Sequence, residues 1–253
     1  KEILKEREKR IRQFFNLESE VNLLDNDSVL PEITEEQALN LKHFNIEWHL
    51  IPSESSIPTE ESMYRELFYP MRKGRFHSHE YQKTSSYRAI LNGHRKHKGR
   101  ILGIETTIKP RYLPGNRQYY GTPYGFESAA DPLAQYFGAA QIVSGTRYGH
   151  NYASLWELVK IVNADWLDRG LMPKGYHLTI CPPVSFNFIG TIFHPEWSLT
   201  ESLEVGFYLD EHGNAKCYAV GSNAPNDFSH LHEISTDADW TLLGFRMALV
   251  PNE

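Results

Sequence analysis

The stretch SLWELVKIVNADWLDRGLMPKGYHLTIC, residues 154–181, decides the fold class because it passes directly from a helical pattern to a strand pattern. Ser154 and Glu157 have the spacing of a capping box, and the apolar residues that follow recur at helical spacing until Gly170 supplies a stop. The apolar run 176–181 then predicts a strand. This passage from helix to strand favours a fold that contains both.

The chain before this stretch is helical in pattern. Residues 1–17 carry apolar side chains at helical spacing among Lys, Glu and Arg, which predicts an amphipathic helix. Thr34 opens a second helix with a capping box, and Thr59 opens a third that ends at Pro70. The Ser- and Pro-rich segment 51–58 is the predicted loop between these two helices. We therefore expect the first 70 residues to be mostly helical.

Strand and turn patterns dominate from about residue 75. Alternating or continuous apolar residues predict strands, and Asp131 followed by Pro132 predicts a helix start. The predicted strands are 100–109, 186–193, the hairpin 205–209 with 216–220, and 240–250. The expected fold is α+β, with a helical N-terminal third packed on a mainly antiparallel twisted sheet and one long inserted helix. Residues 1–253 are predicted to form a single domain, with a helical subregion 1–70 and a sheet-rich body 75–253.

Composition limits the partners. The chain has 253 residues and a formal net charge of −6, which argues against a nucleic acid as the partner. No run approaches the roughly 20 apolar residues that cross a bilayer, and the charged first residues lack the apolar centre of a signal peptide. Cys181 and Cys217 lie in apolar runs, the pattern of buried reduced thiols. We expect a cytoplasmic protein without a membrane partner.

Two similar histidine clusters are the first candidate site. His77 and His79 precede Glu80, and His230 and His232 precede Glu233. In an extended segment, residues two apart face the same side, so each pair can hold one divalent metal, Zn or Mn, or act as an acid–base pair. We expect both clusters to line one cleft, with all six residues catalytic and the four histidines as metal ligands. The alternative is that each cluster is a solvated turn.

A basic run is the second candidate. Arg88, Arg95 and Lys98 belong to a segment dense in Arg, Lys and His within an acidic protein. Such a segment predicts a grip on the phosphate of an anionic or nucleotide-like substrate, or on an acidic protein partner. The alternative is the solvated tip of a hairpin.

A tyrosine-rich loop is the third candidate. Its glycines allow a ligand to approach the backbone, and its tyrosines offer stacking faces, so it predicts a substrate-binding surface. The residues expected to bind are Arg117, Tyr120, Tyr124 and Ser128. The alternative is a loop that only packs.

One segment resembles a known family. The run from Gly125 through Ser128 to Tyr136 is similar to the part of ADP-ribosyltransferases in which Ser or Thr precedes a helix that lines the nicotinamide pocket. The resemblance implies that the segment 86–89 supplies the arginine strand and that Glu201 or Glu204 is the catalytic glutamate. It covers about a fifth of the chain, and the family's usual Glu-x-Glu or Gln-x-Glu pair is missing. It implies NAD as the cofactor, as in bacterial effectors.

Together these features predict an enzyme. The expected activity is that of a hydrolase or group transferase that acts on an anionic, phosphate-bearing substrate through a His/Glu site, with a divalent metal assisting. The alternatives are an NAD-dependent ADP-ribosyltransferase and a non-enzymatic module that binds another protein.

Overall fold

A computed structural model gives the fold. It describes residues 2–18, 23, 30–52, 99–107, 112–113, 117–118, 131–140, 147–199, 203–209, 212, 214–221, 230–237 and 243–252. The helices are α1 (Glu2–Phe15), α2 (Glu35–His43), α3 (Ala134–Phe137), α4 (Tyr152–Asp168) and α5 (Pro183–Phe193), followed by a 3-10 helix (Pro195–Leu199). The strands are β1 (Ile46–Ile51), β2 (Arg100–Glu105), β3 (Tyr112–Leu113), β4 (Arg117–Gln118), β5 (Tyr176–Ile180), β6 (Leu203–Leu209), β7 (Ala215–Gly221), β8 (His230–Ile234), β9 (Leu243–Phe245) and β10 (Met247–Pro251). The fold is α+β, as predicted.

Two four-stranded sheets form the body. The first has the order β1-β2-β10-β5 and is antiparallel throughout, and the second has the order β8-β7-β6-β9. Only the pairing of β6 with β9 is parallel among the described strands. The β6–β7 hairpin confirms the one predicted from the sequence. A short pair, β3 with β4, stands apart from both sheets.

Helices cover both faces of the sheets. One apolar cluster joins α1, α5 and the 3-10 helix to β2, β7 and β10, and the other joins α2, α3 and α4 to β5, β6 and β7. Successive residues of a strand face opposite sides, so β10 gives Ala248 to the first cluster and Leu249 to the second. Among the described helices, none combines the length and the hydropathy that a bilayer span requires. That residues 1–253 form one domain stays a prediction.

The predicted strand 240–250 is divided at Arg246. Residues 243–245 pair in the second sheet, whereas residues 247–251 pair in the first, so Arg246 stands at the crossing between the sheets. Its guanidinium, 2 % exposed, donates two bonds of 2.6 Å to the carboxylate of Glu204 and one of 2.8 Å to the carbonyl of Glu105. The continuous apolar run predicts one strand. The chain bends at Arg246 instead, because the buried guanidinium must reach Glu204 and the carbonyl of Glu105.

A second buried arginine completes this ion network. Arg147 donates to both oxygens of Asp131 at 2.6 and 2.8 Å and to Glu105 at 2.9 Å. Glu105 also accepts from the backbone N–H of Met247 at 2.9 Å, which ties it to the start of β10. Two guanidiniums and three carboxylates therefore lie buried together where the sheets meet.

Three local predictions are corrected. Residues 186–193 form most of α5 and not a strand, because Pro183 is well placed in a first helical turn and a short apolar run fits either element. The capping box of α4 is Asn151 with Ser154, three residues before the predicted pair. Asp131 does not cap α3. It accepts from Leu133 N–H and is committed to the ion network.

The first 70 residues also contain a strand. Asn45 has a left-handed φ of 52°, which ends α2 and turns the chain into β1. Ile46 and Trp48 then alternate with Glu47 and His49, the period of a strand with two different faces. The prediction of mostly helix over 1–70, with a loop beginning at residue 51, is wrong for 46–51. The predicted helix from residue 59 lies outside the described residues.

The ion network should be essential to stability. We expect Arg246→Met to lower the free energy of unfolding by about 3–5 kcal/mol, because it leaves Glu204 charged and buried without its partner. Urea denaturation measures this difference. Lys216→Met is the matched control, since Lys216 lies 3.9 Å from Glu233 at the surface and should cost less than about 1 kcal/mol. Equal losses in the two variants would contradict the role given to the network.

Candidate functional site

Most of the sites predicted from the sequence lie outside the described residues. These are the residues of the first histidine cluster, the basic run and the tyrosine-rich loop: His77, His79, Glu80, Arg88, Arg95, Lys98, Tyr120, Tyr124 and Ser128. The expectation that the two histidine clusters meet in one cleft stays a prediction. Of the loop's candidates, Arg117 lies in β4, opposite Leu113.

The second histidine cluster falls on β8. His232 pairs in register with Ala219 of β7, so the expected extended backbone is present. The alternation of a strand puts position 233 on the opposite face of the sheet from positions 230 and 232. Glu233 is exposed and lies 3.9 Å from Lys216. That Glu233 and the two histidines form one ligand set stays a prediction.

The carboxylate of Glu204 is held in a buried ion pair with Arg246. The resemblance to ADP-ribosyltransferases offered it as one of two catalytic glutamates, but its side chain is 1 % exposed and held by both nitrogens of Arg246. A carboxylate in such a pair is unavailable to a substrate. Glu201, the other glutamate, lies outside the described residues.

The structure brings three other side chains together, Glu47, His49 and His194. Glu47 and His49 are two apart on β1 and face the same side, where Arg7 of α1 contacts Glu47 and Phe193 of α5 contacts His49. His194 is the C-cap residue of α5, where the helix ends and the 3-10 helix begins. One donor atom from each of the three lies within 4.8 Å of the others.

His49 is the least ordinary member of this group. Its side chain is 0 % exposed, and neither ring nitrogen has a hydrogen-bond partner in the part of the chain that the structure describes. The ring contacts Phe193 at 5.1 Å and His194 at 5.9 Å between centroids. Burial lowers the pKa of His49 well below its usual range, and the positive charge of Arg7 lowers it further. A neutral imidazole with a free lone pair is the form that binds a metal.

His194 is oriented by its neighbours. Its ring stacks on Trp197 at 4.7 Å, and its Nδ1 bonds to Glu196 at 2.8 Å. This bond leaves Nε2 as the other ring nitrogen, and Nε2 is buried without a partner among the described residues. Burial lowers the pKa of His194, and the bond to Glu196 opposes that effect. A carboxylate on one nitrogen and an open second nitrogen is the usual arrangement of a metal-binding histidine.

Arg7 of α1 fixes Glu47. Its guanidinium bonds to one carboxylate oxygen, Oε2, and to the backbone carbonyl of Trp48. Burial lowers the pKa of Arg7, and the carboxylate of Glu47 opposes that effect. The contact orients the carboxylate and leaves its other oxygen, Oε1, without a bond to Arg7. The side chain of Glu47 is 44 % exposed, so solvent reaches the group from this side.

The three donors suit a transition metal. Two imidazoles and one carboxylate are the ligand set of several catalytic zinc sites, with bonds of about 2.0–2.2 Å and a fourth position for water. Donors within 4.8 Å of one another need side-chain movements of only about 1 Å to share such a coordination sphere. Buried polar atoms without partners are uncommon, and a bound ion is one of the standard explanations.

Sequence reasoning missed this site although a signal was present. Glu47 and His49 have the same spacing of two that identified the other histidine clusters, but a helical assignment of the region hid it. His194 carries no local signal, because only the fold brings residue 194 to β1.

The unpartnered ring of His49 should make the metal-free protein less stable. Leucine has a volume similar to that of histidine. We expect His49→Leu to raise the free energy of unfolding in EDTA by about 1–3 kcal/mol, since it removes buried polar atoms that have no partner. Urea denaturation measures the change. His177→Leu is the control, because its exposed ring bonds to Asn252 and should give no gain. A loss of stability in His49→Leu would mean that the ring makes a favourable contact without any metal.

Comparison of the chain with protein-family models, curated proteins and solved structures gave no match.

Proposed function

We propose that the protein is a metal-dependent hydrolase or group transferase that acts on an anionic, phosphate-bearing substrate, with the metal held by Glu47, His49 and His194. The observation that carries the proposal is the buried imidazole of His49, whose two nitrogens have no partner among the described residues and which lies beside the open Nε2 of His194. Keeping such a ring in a core costs free energy, which a bound cation would offset.

Each residue has a distinct role in this proposal. His49 and His194 would donate nitrogen and Glu47 would donate oxygen, and the exposed side chain of Glu47 keeps the group open to water. A divalent metal held there would lower the pKa of water and so supply a nucleophile near neutral pH. Glu196 holds the ring of His194, and Arg7 holds the carboxylate of Glu47. Zn²⁺ suits two imidazoles better than Mn²⁺ does, since Mn²⁺ prefers oxygen donors.

The protein is proposed to work in a reducing compartment, the cytoplasm. Cys181 and Cys217 are both buried and free, and burial raises the pKa of each thiol, that of Cys217 to about 12. Neither thiol is therefore a nucleophile under ordinary conditions. The NAD-dependent transferase and the protein-binding module remain alternatives, and no contact among the described residues favours either.

Metal analysis tests the binding site. After EDTA treatment and reloading with zinc, we expect one Zn²⁺ per chain and a higher melting temperature. A free zinc concentration of a hundred times Kd should stabilise the fold by about 2.7 kcal/mol. His49→Ala and His194→Ala should lose the zinc, because two ligands hold it poorly. His177→Ala, which removes an exposed histidine, should keep it. Zinc retained by both ligand variants, or selective loading with iron, would refute the proposed zinc site.

Turnover tests the enzymatic part separately. The zinc-loaded protein should hydrolyse an aryl phosphate, and EDTA or His194→Ala should abolish that activity, since both remove the activated water. The control is His177→Ala, which should hydrolyse the aryl phosphate at the full rate. Stoichiometric zinc without turnover would contradict the enzymatic assignment, and a melting temperature raised by NAD in the absence of metal would favour the transferase alternative.

A further inference from the structure

Two arginines of α1 lie against one aromatic ring beside the proposed metal site. Arg7 and Arg10 are three apart, so they lie on the same side of the helix. Their guanidinium carbons are 5.7 and 5.3 Å from the ring centroid of Phe193. The ring of His49 contacts the same phenyl group at 5.1 Å. Phe193 therefore places both cations next to a candidate ligand of the metal.

The two arginines differ in what they contact. Arg7 is buried and holds Glu47, whereas Arg10 is exposed and has no carboxylate partner among the described residues. Arg12, by contrast, is paired with Glu8 at 2.7 Å on the same helix. The charge of Arg10 is among the causes that lower the pKa of Arg7, after burial, which is the largest. Two guanidiniums that contact one phenyl ring repel each other, and an anion beside them would offset that repulsion.

We infer that Arg10, next to Arg7 and the metal, is the anion-binding residue of this site, and that its ligand is the dianion of a phosphate monoester or of inorganic phosphate. The inference rests on the proposed function, because it takes the metal as the second contact of the phosphate. Guanidinium groups suit this role, since their planar donors match two phosphate oxygens at once.

The charges around the site select a dianion. With a divalent cation bound, the cation and the guanidiniums of Arg7 and Arg10 carry four positive charges, against one negative charge each on Glu47 and Glu196. Two positive charges remain. A carboxylate ligand would neutralise one of them, whereas a phosphate monoester near neutral pH neutralises both. The site therefore fits a terminal phosphate better than it fits a carboxylic acid.

Access supports the same assignment. His49 is buried, whereas Glu47 and Glu196 are 44 % and 48 % exposed and Arg10 is on the surface of α1. A ligand that reaches the metal from the side of Glu47 would find Arg10 at the rim and Phe193 under its guanidinium. The apolar ring excludes water beneath the cation, which strengthens a charged hydrogen bond made there.

Cobalt substitution separates the two proposals. In the Co²⁺-loaded protein, the visible absorption of the ion reports the metal site by itself, and titration with inorganic phosphate should shift that absorption and saturate. We expect Arg10→Gln to weaken phosphate binding at least about tenfold, because it removes a charge-assisted contact, while the spectrum without phosphate stays unchanged. Lys9→Gln is the matched control, an exposed neighbour on α1 with the same loss of charge, and should change the affinity less than about twofold.

The outcomes are distinct. If Arg10→Gln leaves the phosphate affinity unchanged, or if Lys9→Gln lowers it as much, the anion site is wrong. The cobalt spectrum would still support the metal site in that case. A wild-type protein that shows no cobalt spectrum at all overturns the proposed function itself. Saturable binding of acetate as tight as that of phosphate would refute the selection of a dianion.

Discussion

The buried ion network around Arg246 is the constraint on which the rest of the structure depends. Arg246 stands where the chain leaves β9 in one sheet and enters β10 in the other. Its charge cannot be buried alone, so Glu204 from β6 and the carbonyl of Glu105 from β2 must lie at this point. Arg147 then ties Glu105 to Asp131. The ionic contacts therefore fix the relative positions of the two sheets, which apolar packing alone specifies less sharply.

The same arginine is connected to the candidate site through one aromatic ring. The guanidinium carbon of Arg246 lies 3.7 Å from the ring centroid of Trp197, and His194 stacks on that tryptophan at 4.7 Å. His194 therefore takes its position from the crossing of the sheets as well as from Glu196. A side chain held by stacking on one side and by a carboxylate on one nitrogen has little freedom, and this is what a preorganised metal ligand requires.

The fold was more predictable from the sequence than the site was. The 3.6-residue period of α1 and α4 and the Thr34 capping box are local signals, and the structure confirms those helices. The apolar run 186–193 predicts a strand but forms a helix, because a fully buried apolar run has no period that separates the two. The strand predicted over 240–250 is divided at Arg246, whose partners are distant along the chain. The site joins residues 47 and 194, which no local pattern links. In the sequence, Glu204 is a candidate catalytic glutamate and Asp131 a candidate helix cap, because the arginines that bind them are not apparent there.

The position of β10 governs the order in which this protein can fold during synthesis. β10 lies between β2 and β5, although it follows both of them in the chain. While a ribosome is producing the residues before 247, the central position of the first sheet is vacant, and the facing edges of β2 and β5 expose unpaired backbone groups. The pairings that complete this sheet are therefore long-range and late. Such a topology favours slow closure of the sheet over stepwise folding from the N-terminus, and the open edges of β2 and β5 are prone to aggregation until β10 pairs with them.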